Sequence, residues 1–194
     1  MKRVVTIAYA AVLCGCYYSP WEDCRYKPAG EEYVSEPIEG GGWHHYTFRP
    51  EVVIDNVHFE ISSSGAGGIY RHAPHSIRLQ SLIEKGTCRE VEIERFSVRR
   101  EGEEKAVAEL GGKRLEFRLR KTYGNGRNTE GMIAFYDCIL PEGVTPKDGK
   151  FLLVEVWASV TTEDAVGKPL IVKGKFEFVL LPDVRHGWFK VISV

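Results

Sequence analysis

Residues Arg114 to Arg120 alternate without a break. Leu115, Phe117 and Leu119 share one parity; Arg114, Glu116, Arg118 and Arg120 share the other. Successive side chains of a strand point to opposite faces, whereas a helix brings every third or fourth residue to one side. The pattern therefore demands an extended segment with one dry and one wet face. It recurs along the chain. Val53, Val57, Phe59 and Ile61 alternate with His58 and Glu60; Leu152, Val154, Val156, Ala158 and Val160 alternate with Glu155, Trp157 and Ser159; Val172, Phe176, Phe178 and Leu180 alternate with Lys173, Lys175 and Glu177. Ile77, Leu79 and Leu82 predict a further strand, and Trp188 to Val194 the last one. Met132 to Leu140 is apolar on both parities except for Asp137, which predicts a central strand.

Local irregularities are legible too. Val91 and Ile93 keep one parity and Phe96 and Val98 the other, a slip that one extra residue near Glu94 and Arg95 explains as a bulge. Gly174 falls on an apolar parity, where a bend or a close backbone approach is expected. Residues 103–110 have helix-forming composition ending before Gly111, but Ala106, Ala108 and Leu110 alternate between strand neighbours, so a short strand is expected. Ser62 to Gly68 reads as a loop, and Asn125-Gly126 as hairpin-turn chemistry. Eight or nine strands with no long helix must cover one another's apolar faces. The expected architecture is an all-β, two-layer β-sandwich, with an immunoglobulin-like topology as one option.

The first residues carry a different signal. Lys2 and Arg3 precede a ten-residue, almost unbroken apolar run from Val4 to Leu13, about half of the roughly 20 residues a spanning helix needs. Charge followed by a short apolar core is the form of a signal peptide. Leu13-Cys14-Gly15-Cys16 then resembles the lipobox of bacterial lipoproteins. The resemblance implies removal of residues 1–15, a lipid on Cys16, and attachment to the cell envelope. With Tyr17 rather than Asp next, it implies the outer membrane if the source is Gram-negative. Several acyl chains hold a protein to a bilayer far better than one, at about 0.8 kcal/mol per buried CH₂.

Cleavage would remove Lys2 and Arg3, leaving 24 basic residues against 27 acidic. That balance gives no basis for a nucleic-acid partner. The remaining 179 residues suit one domain with a real core. Residues 16–42, rich in Pro, Gly and acids, read as a lipidated N-terminus and spacer; residues 43–194 read as the sandwich. An oxidising envelope favours a disulfide, for which Cys88 with Cys138 is the preferred pair because both adjoin predicted strands.

Two residue sets stand out as sites. His44, His45, His72 and His75 are the metal-ligand candidates, with imidazoles suited to zinc or copper; the alternative is ordinary loop histidines, and no cofactor is required. Arg114, Arg118, Arg120 and Arg127 cluster along one hairpin and, with Trp157, form the candidate binding face. Such cations can meet lipid phosphate, an acidic glycan or an acidic protein, or can protect a strand edge. No nucleophile elbow or carboxylate pair is evident. The expected function is a non-enzymatic binding or scaffolding lipoprotein with an envelope protein or glycan partner. The alternatives are a metal-binding envelope protein or metal-dependent hydrolase, and a self-associating structural lipoprotein.

Overall fold

A computed structural model describes residues 16–37, 43–64, 66–67, 74–83, 88, 90–124, 127–164 and 166–192. In chain order the strands are β1 (Cys16–Pro28), β2 (Glu32–Pro37), β3 (Trp43–Phe48), β4 (Glu51–Ile54), β5 (Val57–Ser64), β6 (Ala66–Gly67) and β7 (Ser76–Ile83). They continue as β8 (Glu90–Arg100), β9 (Ala106–Arg114), β10 (Arg118–Gly124), β11 (Arg127–Ile139), β12 (Leu152–Glu163) and β13 (Pro169–Ile192). A 3₁₀ turn, Pro146–Asp148, sits between β11 and β12.

The strands form an all-β sandwich. One sheet runs β6-β1-β13-β12-β8-β9, the other β10-β11-β7-β5-β4, and β2 with β3 makes a separate hairpin. Every pairing is antiparallel. The first long strand pairs with the last, so the order is not that of an immunoglobulin domain.

The core lies between the two large sheets. Val91, Ile93, Phe96 and Val98 of β8, with the five expected residues of β12, face Val57, Phe59 and Ile61 of β5 and Ile77 and Leu79 of β7. Two aromatic pairs bridge the layers: Phe59 with Phe176, centroids 5.0 Å apart, and Phe96 with Tyr136 at 5.3 Å. Such pairs add about 0.5–1.5 kcal/mol each beyond the area they bury.

The bulge falls where the parity slip put it. Trp157 pairs with Arg95 and Ala158 with Ile93, which leaves Glu94 as the extra, exposed residue. Its carbonyl oxygen lies 2.5 Å from where a Cβ on Gly111 would stand, so β9 passes the bulge only with glycine there. Residues 106–114 are a strand, not a helix. Gly174 makes the expected close approach: a Cβ there would overlap Cδ1 of Ile54. The β4–β5 connection is a two-residue turn with Asp55 and Asn56 both at positive φ, the form that matches strand twist.

Three expectations are corrected. The unbroken alternation of Arg114 to Arg120 is not one strand: β9 ends at Arg114, residues 115–117 cross between sheets, and β10 starts at Arg118. Alternation reports extended backbone, and an extended crossover keeps it. Ser62–Ser64 and Ala66–Gly67 are strand rather than loop. The segment read as a spacer also contains strand. Cys16–Pro28 pairs residue for residue with Ile192 to Leu180, and Cys24 and Tyr26 are buried.

Electrostatics holds this segment down. The buried Glu31 carboxylate takes Arg25 at 2.9 Å and Arg49 at 3.4 Å, and Arg25 also reaches Asp183 of β13 at 3.5 Å. Removing one partner of a buried ion pair costs about 3–5 kcal/mol. We expect Glu31→Ala, with both arginines partly solvated, to lower the unfolding free energy in urea by about 3 kcal/mol. A change below about 0.5 kcal/mol, as for a substitution in a loose tether, would contradict this packing.

Candidate functional site

Among the described residues β9 and β10 are the outermost strands of their sheets, and the short crossover at 115–117 joins them around the side of the sandwich. The crossover is built to stay down. Leu115 is buried and its N–H donates to the carbonyl of Val91 at 2.8 Å, while Phe117 packs against the core. Glu116 between them is exposed. Lys113, Arg114 and Arg118 therefore flank one rim.

That rim encloses a cleft of about 630 Å³. Its cationic lining is Lys113, Arg114 and Arg118, its one carboxylate is Glu116, and its apolar surface comes from Leu119, Ile133, Ala134 and Phe135. Leu119 sits opposite Met132, on the parity of the core residues Ala134 and Tyr136, yet it is 67% exposed. A side chain with core parity and a solvent-facing surface marks an open lateral mouth between the layers. The Lys113 ammonium stands 5.3 Å from the centre of the buried Tyr136 ring. Burial pushes the Tyr136 hydroxyl pKa upward, so its ring stays neutral beneath the cation. Arg114 is paired with Glu90 at 2.5 Å. Outside the mouth, the Arg78 guanidinium lies 4.9 Å from the Phe135 ring centre and forks onto Asp137 at 2.6 and 3.1 Å. This caps Phe135 on the outer parity of β11, where Ile139 stays exposed.

The arginine–tryptophan face divides in two. Arg114 and Arg118 line the cleft, and Lys113, Ile133 and Phe135 complete it. Arg120 and Arg127 occupy β10 and β11 opposite Gly131 and Gly124; their side chains lie outside the described set. Trp157 belongs elsewhere, on the outer face of the six-stranded sheet. Arg95 lies 4.7 Å and Lys175 5.0 Å from its ring system. Both cations are already engaged, Arg95 by Glu109 at 2.8 Å and Lys175 by Glu155 and Glu177 at 2.9 and 3.2 Å. Trp157 is thus held between two ion-paired cations, apart from the cleft.

Of the four candidate histidines, only the His75 side chain lies among the described residues. His44 and His45 are neighbours on β3; their side chains, and all of His72, lie outside the described residues. His75 immediately precedes β7, where its carbonyl accepts from Leu140. No group of three metal-binding side chains occurs among the described residues.

The expected Cys88–Cys138 disulfide is not formed: Cys24, Cys88 and Cys138 are all free. Cys138 is fully buried in the core, where desolvation pushes its pKa up to about 11. Cys88 lies outside β8 and donates to the Glu90 carbonyl at 3.7 Å.

A second polar cluster closes one end of the sandwich. The Tyr26 and His75 rings meet edge to face at 6.3 Å, and Cys24 Sγ lies 4.0 Å from Thr145 Oγ1. The Tyr26 hydroxyl and His75 Nδ1 are buried without a hydrogen-bond partner among the described residues. Desolvation, with the nearby charge of Lys147, lowers the His75 pKa.

No protein-family model, curated protein or solved structure matches the chain.

The lowered His75 pKa makes a signed prediction. The folded state prefers neutral imidazole, so this contribution is fully present above the unfolded pKa of about 6.5 and is lost as pH falls through the lower folded value. Urea midpoints measured across that window should decline toward acid, and His75→Gln should flatten part of the decline. An unchanged slope in the variant would remove His75 from the acid sensitivity.

Proposed function

We propose that this chain is a lipid-anchored, non-enzymatic binding module of the bacterial cell envelope, held through Cys16 and presenting its lateral mouth to an anionic envelope partner. The anchor half of the reading is supported by Leu13-Cys14-Gly15-Cys16 behind a charged and apolar leader. In a Gram-negative cell, Tyr17 after the lipidated cysteine favours the outer membrane.

The binding half rests chiefly on one observation: a cleft with three cations on its lining, one carboxylate, and an exposed core-parity leucine. Exposed cations beside apolar surface favour a ligand that carries both negative charge and nonpolar contact area. A bare anion would leave Leu119 wet, and a wholly apolar ligand would leave Lys113 and Arg118 without compensation. An acidic segment of an envelope protein or an acidic glycan satisfies both demands.

A photoreactive amino acid at position 119 tests this in the living cell. We expect one reproducible adduct there and none at position 166, where Val166 is 76% exposed but outside the cleft lining. The combined Lys113→Glu and Arg118→Glu changes should abolish the adduct while the fold persists, since both side chains lie at the rim. No adduct at 119, or one indifferent to the charge reversal, would reject the cleft as the contact.

A further inference from the structure

The β1–β13 ladder has two parts. From Pro28 to Glu22, β1 lies on the body: Ser63 donates to the Tyr26 carbonyl, Asp23 and Cys24 pair with β6, and Lys147 reaches Glu22 at 2.5 Å. From Trp21 to Cys16, β13 is the strand that pairs with it, over Gly187 to Ile192. Six register pairs at roughly 3.3 Å per residue make a ribbon about 20 Å long.

The composition of this ribbon is unlike the rest of the chain. Its twelve residues are Cys16-Tyr17-Tyr18-Ser19-Pro20-Trp21 and Gly187-Trp188-Phe189-Lys190-Val191-Ile192. Five are aromatic, against 11% of the whole sequence, and Lys190 alone is charged, against 27%. By register, one parity holds Tyr17 opposite Val191, Ser19 opposite Phe189 and Trp21 opposite Gly187. The other holds Cys16 opposite Ile192, Tyr18 opposite Lys190 and Pro20 opposite Trp188. Both parities carry aromatic residues, so neither is the wet face that water requires. A two-stranded ribbon is at best marginally stable alone in water.

We propose that this ribbon is a membrane-contacting foot, its aromatic end seated in the interfacial layer of a phospholipid bilayer. Three features select that partner. Trp and Tyr concentrate at the membrane–water boundary, where an apolar ring and a polar edge are both satisfied. Lys190 can keep its ammonium among headgroups while its stem lies in apolar surroundings. Among the described residues no third strand pairs with the ribbon, and hydrocarbon cannot satisfy unpaired backbone N–H and C=O groups, so the proposed depth is shallow and the ribbon does not cross. The inference rests on the anchor reading above, because Cys16 begins the ribbon.

Depth-resolved quenching tests it on the mature, lipidated protein reconstituted into phosphatidylethanolamine–phosphatidylglycerol vesicles that contain phosphatidylcholine brominated at shallow or deep acyl positions. The four tryptophans are Trp21, Trp43, Trp157 and Trp188. A Trp43→Phe, Trp157→Phe protein reports the ribbon; a Trp21→Phe, Trp188→Phe protein reports the remainder. We expect shallow bromines to quench the first protein strongly, deep bromines to quench it weakly, and neither to quench the second. Vesicle-floating protein with acylated Cys16 and no ribbon quenching would overturn the foot while leaving the anchor intact. Protein that carries no acyl group and does not float would overturn the anchor and the foot together.

Discussion

The fold depends on the continuity of β13 through Leu180. That residue is fully buried and pairs with Leu152 of β12 on one side and Pro28 of β1 on the other. Before it, β13 belongs to the sandwich; after it, β13 belongs to the ladder with β1. One strand therefore joins the packed body to the chain's first described residues, and the Arg25–Glu31–Arg49 ion cluster with Asp183 secures the junction. Antiparallel pairing of first and last strands leaves the opening on the far side, between β9 and β10.

That opening has two explanations that reinforce each other. Outermost strands offer unpaired backbone groups, and lysine or arginine along them discourages pairing with another chain. Lys113, Arg114 and Arg118 meet that need. They also stand around exposed Leu119 in a cleft, which a purely protective role leaves unexplained. Proteins ordinarily fill core-parity positions at sheet edges or blunt them with charge. Here the charge borders the apolar surface and does not replace it, which favours an amphiphilic anionic contact.

Much of the fold was legible because it is set locally. Period two located the buried faces of β5, β8, β12 and β13, the parity slip located the bulge at Glu94, and a lone glycine among inward residues marked the approach of Ile54 to Gly174. Non-local facts were hidden. Nothing near Pro20, Pro28 or Glu31 reveals that their partners lie at the other end of the chain, so proline and acid looked like a spacer. Glu31 is buried because arginines reach it from two elements. Arg114 to Arg120 looked like one strand because alternation shows extension and is blind to sheet membership. The basic cluster was visible, while its separation from Trp157 depended on strand order. Lys113 was visible as a charge, but its place above Tyr136 was not.

The β1–β13 ribbon begins at Cys16, where the proposed lipid anchor would be attached. The most direct test of that anchor is the intact mass and N-terminal fragment spectrum of the chain isolated from its native cell. The expected result is a mature chain beginning at Cys16, with the mass of a diacylglycerol on its sulfur and a further acyl group on its amine. A mature chain beginning elsewhere, or one with an unmodified Cys16, would contradict it.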